Sequence, residues 1–155
     1  MANLQVGDKV PAFQAESTGD QAFDSENYLG KNIVLYFYPK DSTPGCTQEG
    51  IDFRDHISDF ESLDTVILGV SRDSVRSHEN FKTKQCFPFD LLSDPEEKLC
   101  NLFDVIKMKN MYGKQVLGIQ RSTFLIDKQG NLAHEWRKVK VANHVEEVLK
   151  AVGEL

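Results

Sequence analysis

The segment from Tyr36 to Gly50 reads YFYPKDSTPGCTQEG. An apolar run stops at Pro39, a polar turn crosses Thr43-Pro44-Gly45, and Cys46 stands where a helix should begin. Cysteine is among the most buried residue types, so a thiol set among turn residues points to reactivity rather than to packing. A helix N-terminus offers unpaired N–H groups and a partial positive charge. A thiol held there is biased toward thiolate, the form that attacks electrophiles. Two other cysteines, Cys86 and Cys100, are widely spaced. Three cysteines so arranged form no disulfide framework. There is no CxxC, and His56, His78, His134 and His144 lack paired spacing, so no zinc site is expected. The chemistry on offer is that of individual thiols.

The elements that must position Cys46 alternate between strand and helix signals. Ala12–Ser17 and Gln21–Asp24 flank Thr18-Gly19-Asp20 and predict an N-terminal β-hairpin. Asn32–Tyr38 is a continuous run of strand formers, as expected of a central strand buried on both faces. Phe53, Ile57, Phe60 and Leu63 then step as one helical stripe. Thr65–Ser71 predicts a second buried strand, with Asp73 capping a helix that runs through Cys86. Asp94-Pro95-Glu96-Glu97 predicts a capped helix start, with a stripe of Leu99, Leu102, Phe103 and Ile106. Gln120–Asp127 and Leu132–Arg137 read as a hairpin. A last helix carries Val145, Val148, Leu149 and Val152, with Asn143 and Glu146 spaced as a capping box. This alternation predicts an α/β fold, a central sheet flanked by helices. Cys46 falls beyond the carboxyl end of a central strand, where such sheets place their sites.

At 155 residues the chain fits a single domain, 1–155, with a core of its own. Eighteen basic against 24 acidic residues, net −6, argue against nucleic acid or an anionic membrane as the main partner. No apolar run is long enough to span a bilayer, and MANLQVGDKV does not read as a secretory signal. A cytoplasmic, reducing setting is the expectation. No Gly-rich phosphate loop is present, so no nucleotide, flavin or haem cofactor is expected.

The pattern Pro39-x-x-x-Thr43-x-x-Cys46-Thr47 resembles the peroxiredoxins, with Thr-x-x-Cys standing where thioredoxins carry Cys-x-x-Cys. The resemblance runs from VGDKVPAF through GVSRDSV and LLSD to QRSTFLID, and is nearest to the bacterioferritin-comigratory, or PrxQ, subgroup. It implies a thioredoxin-like fold in which Cys46 attacks a hydroperoxide and becomes a sulfenic acid. It further implies that Arg121 supplies a fixed positive charge, that the Thr43 hydroxyl hydrogen-bonds the peroxide, and that Pro39 excludes water. Thioredoxin as reductant and a monomeric state are implied as well. Ionisation alone cannot make such an enzyme efficient. A free cysteine is already a few per cent thiolate at neutral pH, so complete ionisation gains at most about thirtyfold. The rest must come from donors that meet the charge as the O–O bond breaks.

Glu49 lies three residues past Cys46 on the same helical face. It either pairs with Arg121 and orients it or is a solvated helix charge. Many relatives of this subgroup resolve the sulfenic acid with a cysteine five residues on, which here is Ile51; another branch uses a position that aligns with Lys82. Cys86, one helical turn from Lys82, could resolve if its helix is displaced; an external thiol and Cys100 are the alternatives. Cys100, beside Leu99 and Leu102, reads as a small core hydrophobe. A thiol phosphatase would need arginine at position 52, which is Asp52, and a thioredoxin-like reductase would need cysteine in place of Thr43. A non-catalytic binding module is the rival from another class, and the complete Pro39, Thr43, Cys46 and Arg121 set speaks against it. Trp136 and the run Arg137-Lys138-Val139-Lys140 read as a strand end and a solvated face. Chain order places Met108 and Met111 in a loop near the site.

Overall fold

The computed structural model describes residues 4–155. Its core is a seven-stranded mixed sheet in the order β2-β1-β5-β4-β3-β8-β9. The N-terminal hairpin is β1 (Gln14–Ser17) and β2 (Gln21–Asp24). Next comes β3 (Asn32–Phe37), every residue of which is buried, as its unbroken apolar run predicted. Its side chains alternate between two cores: Ile33, Leu35 and Phe37 face one way, Val34 and Tyr36 the other.

Helices α1 (Pro44–Asp55) and α2 (Ile57–Ser62) follow where one continuous helix was expected. The break has a local cause. His56 Nδ1 bonds the Asp52 carbonyl at 2.8 Å, the acceptor that a continuing helix would give to the His56 amide. That amide turns to Phe53 O instead.

Strand β4 (Thr65–Ser71) pairs parallel with β3. Helix α3 (Val75–Gln85) is capped by Ser74, whose hydroxyl accepts from Ser77 N, and not by Asp73. Asp73 is engaged elsewhere, accepting from Asp41 N and the Ser71 hydroxyl. Strand β5 (Asp90–Ser93) was not anticipated; it continues the sheet parallel to β4 and carries the hairpin on its other edge.

Helix α4 (Lys98–Leu102) is shorter than expected, because Glu97 adopts a left-handed conformation (φ 61°) and delays the start. Asp94 still accepts from the amides of Leu99 and Cys100, at 3.1 and 2.8 Å, across the intervening turn. Ile106, expected in that helix, opens β6 (Ile106–Met111), which forms a separate two-stranded sheet with β7 (Lys114–Ile119). Met108 and Met111 therefore lie on a projecting two-stranded arm rather than a loop. Met108 is exposed, and the Met111 side chain lies outside the described residues.

Strand β8 (Ser122–Ile126) pairs antiparallel with β3 and with β9 (Leu132–Trp136). Arg137 departs from the expected solvated face: it donates to the carbonyls of Phe103 and Asp104 and lies over the Phe124 ring. Helix α5 (His144–Gly153) lacks the expected capping box. Asn143 is left-handed (φ 61°), and a side-chain cap needs extended backbone there. Among the described residues, no helix is long and apolar enough to cross a membrane.

Candidate active site

Three elements converge at the carboxyl end of β3. The register Phe37↔Ser122 puts Arg121 just outside the sheet, beside the point where β3 runs into the Tyr38–Ser42 loop. The Arg121 backbone is pinned there, its carbonyl accepting from Val139 N at 3.0 Å. Thr43 is the extended residue that opens α1, and Pro44 occupies the first helical position, where a missing N–H costs nothing. Cys46 thus sits in the first turn of α1, among amides with no partner inside the helix.

The guanidinium of Arg121 bridges two side chains of that helix. Nη2 donates to Cys46 Sγ at 3.3 Å, and Nη1 donates to Glu49 Oε1 at 2.6 Å. Of the two readings left open for Glu49, the structure places it in the pair: its side chain is fully buried and Arg121 is 16% exposed. Burial pushes the Glu49 carboxyl up to about 7, the charge and hydrogen bond of Arg121 offsetting only part of that cost. Conversely, Arg121 is held above its ordinary value, because Glu49 and Cys46 outweigh the burial of the guanidinium. Glu49 Oε2 and the Tyr36 hydroxyl are buried with no hydrogen-bond partner among the described residues. Cys46 itself is 2% exposed and joins the core of Tyr36, Tyr38 and Phe53.

Thr43 Oγ1 donates to Lys40 O at 2.8 Å, so its remaining capacity is as an acceptor. Pro39 is half-buried at the end of β3. Gly45 was not singled out from the sequence, yet a Cβ there would lie 3.2 Å from Arg121 Nη2. Its signal was only a glycine beside the cysteine at a helix start. The electrostatic reach of Cys46 and Arg121 extends to Lys109 on β6, whose ammonium is pushed down by burial and by Arg121.

The other two cysteines are apart from this group. Cys86 is exposed and free, in a left-handed conformation (φ 56°) at the C-terminus of α3. Arg54 of α1 donates to the carbonyl of its neighbour Gln85 at 2.9 Å. Cys100 is fully buried, and burial with the adjacent Asp94 pushes its thiol far up, which suits its reading as a core residue.

The chain as a whole is similar to known proteins. The AhpC/TSA family matches residues 6–135. Peroxiredoxin Bcp of Bacillus subtilis is 51% identical over 152 residues, 98% of this chain and 97% of that one. The structure of Xanthomonas campestris bacterioferritin comigratory protein superposes with a TM-score of 0.87 at 53% identity, covering 92% of this chain and 90% of the other. A cysteine-to-serine mutant of Xylella fastidiosa PrxQ does so with a TM-score of 0.93 at 42% identity, covering 99% and 98%. The family match, the full-length relatives and the thioredoxin-like sheet agree, and the chain belongs to the AhpC/TSA family as a peroxiredoxin of the Bcp/PrxQ kind, a peroxidase.

Proposed function

We propose that Cys46 is the nucleophile that reduces hydrogen peroxide and organic hydroperoxides. The observation that carries this reading is the bridge made by Arg121, one arm on Cys46 Sγ and the other on buried Glu49. The sulfur anion forms a bond to one peroxide oxygen as the O–O bond breaks. The electron pair leaves on the second oxygen, which takes a proton and departs as water or an alcohol. Cys46 is left as sulfenic acid, oxidised by two electrons. Negative charge moves from sulfur to the departing oxygen, so a fixed guanidinium beside Sγ serves both ends of the transfer without reorganising. Glu49 acts through Arg121 by fixing its orientation. Thr43, with its own proton committed to Lys40 O, accepts from the peroxide O–H. Pro39 shields the sulfur from water. The X. campestris relative has alkyl peroxide reduction activity, which supports organic hydroperoxides as substrates here.

The sulfenic acid is then resolved by Cys86, whose thiol displaces the oxygen as water and leaves a disulfide. Segments at the end of α3 must move for this. The chain just past Cys86 packs on α1 at Gly50, roughly 6 Å along the axis from Cys46. A disulfide needs Cα atoms within about 7 Å and the two Cβ vectors facing. An exposed, left-handed helix end is suited to local unwinding. A dithiol protein of the thioredoxin kind reduces the disulfide, in a cytoplasmic setting.

Intact-mass analysis after one equivalent of peroxide tests this sequence. A disulfide in Cys100→Ser but none in Cys86→Ser is the expected result. A persistent sulfenic acid in the unmutated protein would remove Cys86 from the scheme, leaving an external thiol to do the work.

A further inference from the structure

A second buried polar cluster lies behind the loop that presents Thr43 and Cys46. Asp41, two residues before Thr43, is 7% exposed, and His78 in the first turns of α3 is fully buried. His78 Nδ1 lies 2.7 Å from Asp41 Oδ2, and His78 Nε2 lies 2.9 Å from the Leu92 carbonyl. The carboxylate also accepts from the Tyr38 hydroxyl at 2.6 Å and the Ser77 hydroxyl at 2.8 Å. The Asp41 amide donates to Asp73 Oδ2 at 2.9 Å.

A backbone carbonyl can only accept, so Nε2 must carry a proton. Nδ1 then faces a carboxylate oxygen, and two lone pairs at that separation repel unless a proton lies between them. Asp41 is the weaker claimant: both of its oxygens already accept from hydroxyls, Oδ1 from Tyr38 and Oδ2 from Ser77, and such bonds favour the ionised carboxylate. The proton therefore belongs to the ring. A metal ion is not the alternative, because two ligands about 2.1 Å from one tetrahedral ion stand roughly 3.4 Å apart. The distance here is a hydrogen bond.

The loop needs such a hold. Ser42, between Asp41 and Thr43, has φ of 64°. A non-glycine residue in that region costs on the order of 1 kcal/mol and persists only where its surroundings over-determine it. The bonds to Asp41 come from Tyr38, the residue directly after β3, from α3 through Ser77 and His78, and from the β4–α3 link through Asp73. They fix the chain immediately before the strained residue.

We propose that His78 is a positioning residue of the peroxidase reaction: as an imidazolium donating to both Asp41 and Leu92 O, it locks Asp41 and thereby the loop that sets Thr43 and the Cys46 turn. The proposal rests on Cys46 being the nucleophile. It also makes the start of α3 the fixed end of that helix, so that movement delivering Cys86 is confined to the residues after His78.

The test has two arms. Nitrogen-15 NMR of the intact protein at neutral pH should show both ring nitrogens of His78 protonated; a neutral tautomer overturns the proposal. Single-turnover oxidation by hydrogen peroxide should slow about tenfold or more in His78→Leu, in keeping with the sensitivity of reactive geometry to small misplacement. His78→Asn, whose amide can stand in for Nδ1, should recover part of the loss. Lys82→Ala, on the same helix as His78, breaks an ion pair to Asp90 of β5 and should stay within about twofold of the parent protein. Equal rates for His78→Leu and the parent overturn the proposal; should His78→Leu fail to fold, the comparison with His78→Asn decides in the same way. A Cys46→Ser protein that still consumed peroxide would sink the nucleophile and this proposal together, whereas the NMR result sinks this one alone.

Discussion

The ring of Phe87 occupies the space where a side chain at Gly50 would begin. A Cβ on Gly50 would lie 2.9 Å from both Cε atoms of that ring and closer still to its tip. Phe87 in turn packs edge-on against Phe81 and stacks on Phe89, so the ring has little room to yield. Through this contact α1, which carries Cys46, is keyed to the chain directly after Cys86. Gly50→Ala should destabilise the protein by about 1–3 kcal/mol, the usual range for overpacking. It should also loosen the end of α3 and expose Cys86 to faster alkylation. Denaturant midpoints and thiol-labelling rates measure the two effects, and an unchanged midpoint would contradict the packing described.

Gly45 has a different neighbour. A methyl there would press on Arg121 Nη2 at 3.2 Å, so the guanidinium must shift by a few tenths of an ångström. The movement takes Nη2 off the sulfur while leaving the fold intact. Gly45→Ala should therefore lower the second-order rate with hydrogen peroxide by about tenfold with little change in melting temperature. Arg121→Lys should cost more, roughly 10²-fold, since the bridge uses two separate nitrogens of a planar fork that lysine lacks. Stopped-flow oxidation compares the variants, and equal rates for Arg121→Lys and the parent would remove the bridge from the mechanism.

Buried Glu49 links stability to pH in a definite direction. Its carboxyl is raised from 4.5 to about 7 in the fold. The unfolded chain releases that proton first, so the contribution is fully present below about pH 4.5 and is lost as pH rises through about 7. Relative to Glu49→Gln, the native protein should lose stability between those limits. Urea midpoints of the two proteins across the window check this, and a constant difference would contradict it.

His144 acts in the opposite sense. Burial, with the nearby Arg121 charge, lowers its ring from 6.5 to about 4, and Nε2 is paired with the Thr123 hydroxyl at 2.7 Å. The unfolded ring takes up its proton first as pH falls, so this contribution is present above about pH 6.5 and disappears on the way down to about 4. His144→Gln, which retains a side-chain partner for Thr123, should be less sensitive to acid over that range. Equal acid sensitivity of variant and parent would place the titration elsewhere.

What could be read from the sequence divides along physical lines. Strands β3 and β4 were legible because burial on both faces leaves an unbroken apolar run. The arm of β6 and β7 was not, because it stands apart from the main sheet and intersperses Lys107, Lys109 and Lys114 with apolar residues. The break at His56 was hidden by an apolar stripe that continues across it, since the ring's bond to Asp52 O leaves no trace in periodicity. At the site, Pro39, Thr43 and Cys46 share one short segment, and their spacing stood out. Arg121 lies 75 positions from Cys46 and was placed by resemblance. The pairing of Asp41 with His78, 37 positions apart, depends on how β3 and α3 meet and left no local sign.

The most direct test of the account is to find which sulfur first takes oxygen. The protein is mixed with one equivalent of hydrogen peroxide in the presence of a sulfenic-acid trap and mapped by peptide mass, in the parent and in Cys86→Ser. The adduct is expected on Cys46, accumulating when Cys86 is replaced, with none in Cys46→Ser. First oxidation at Cys86, or undiminished peroxide consumption by Cys46→Ser, would contradict it.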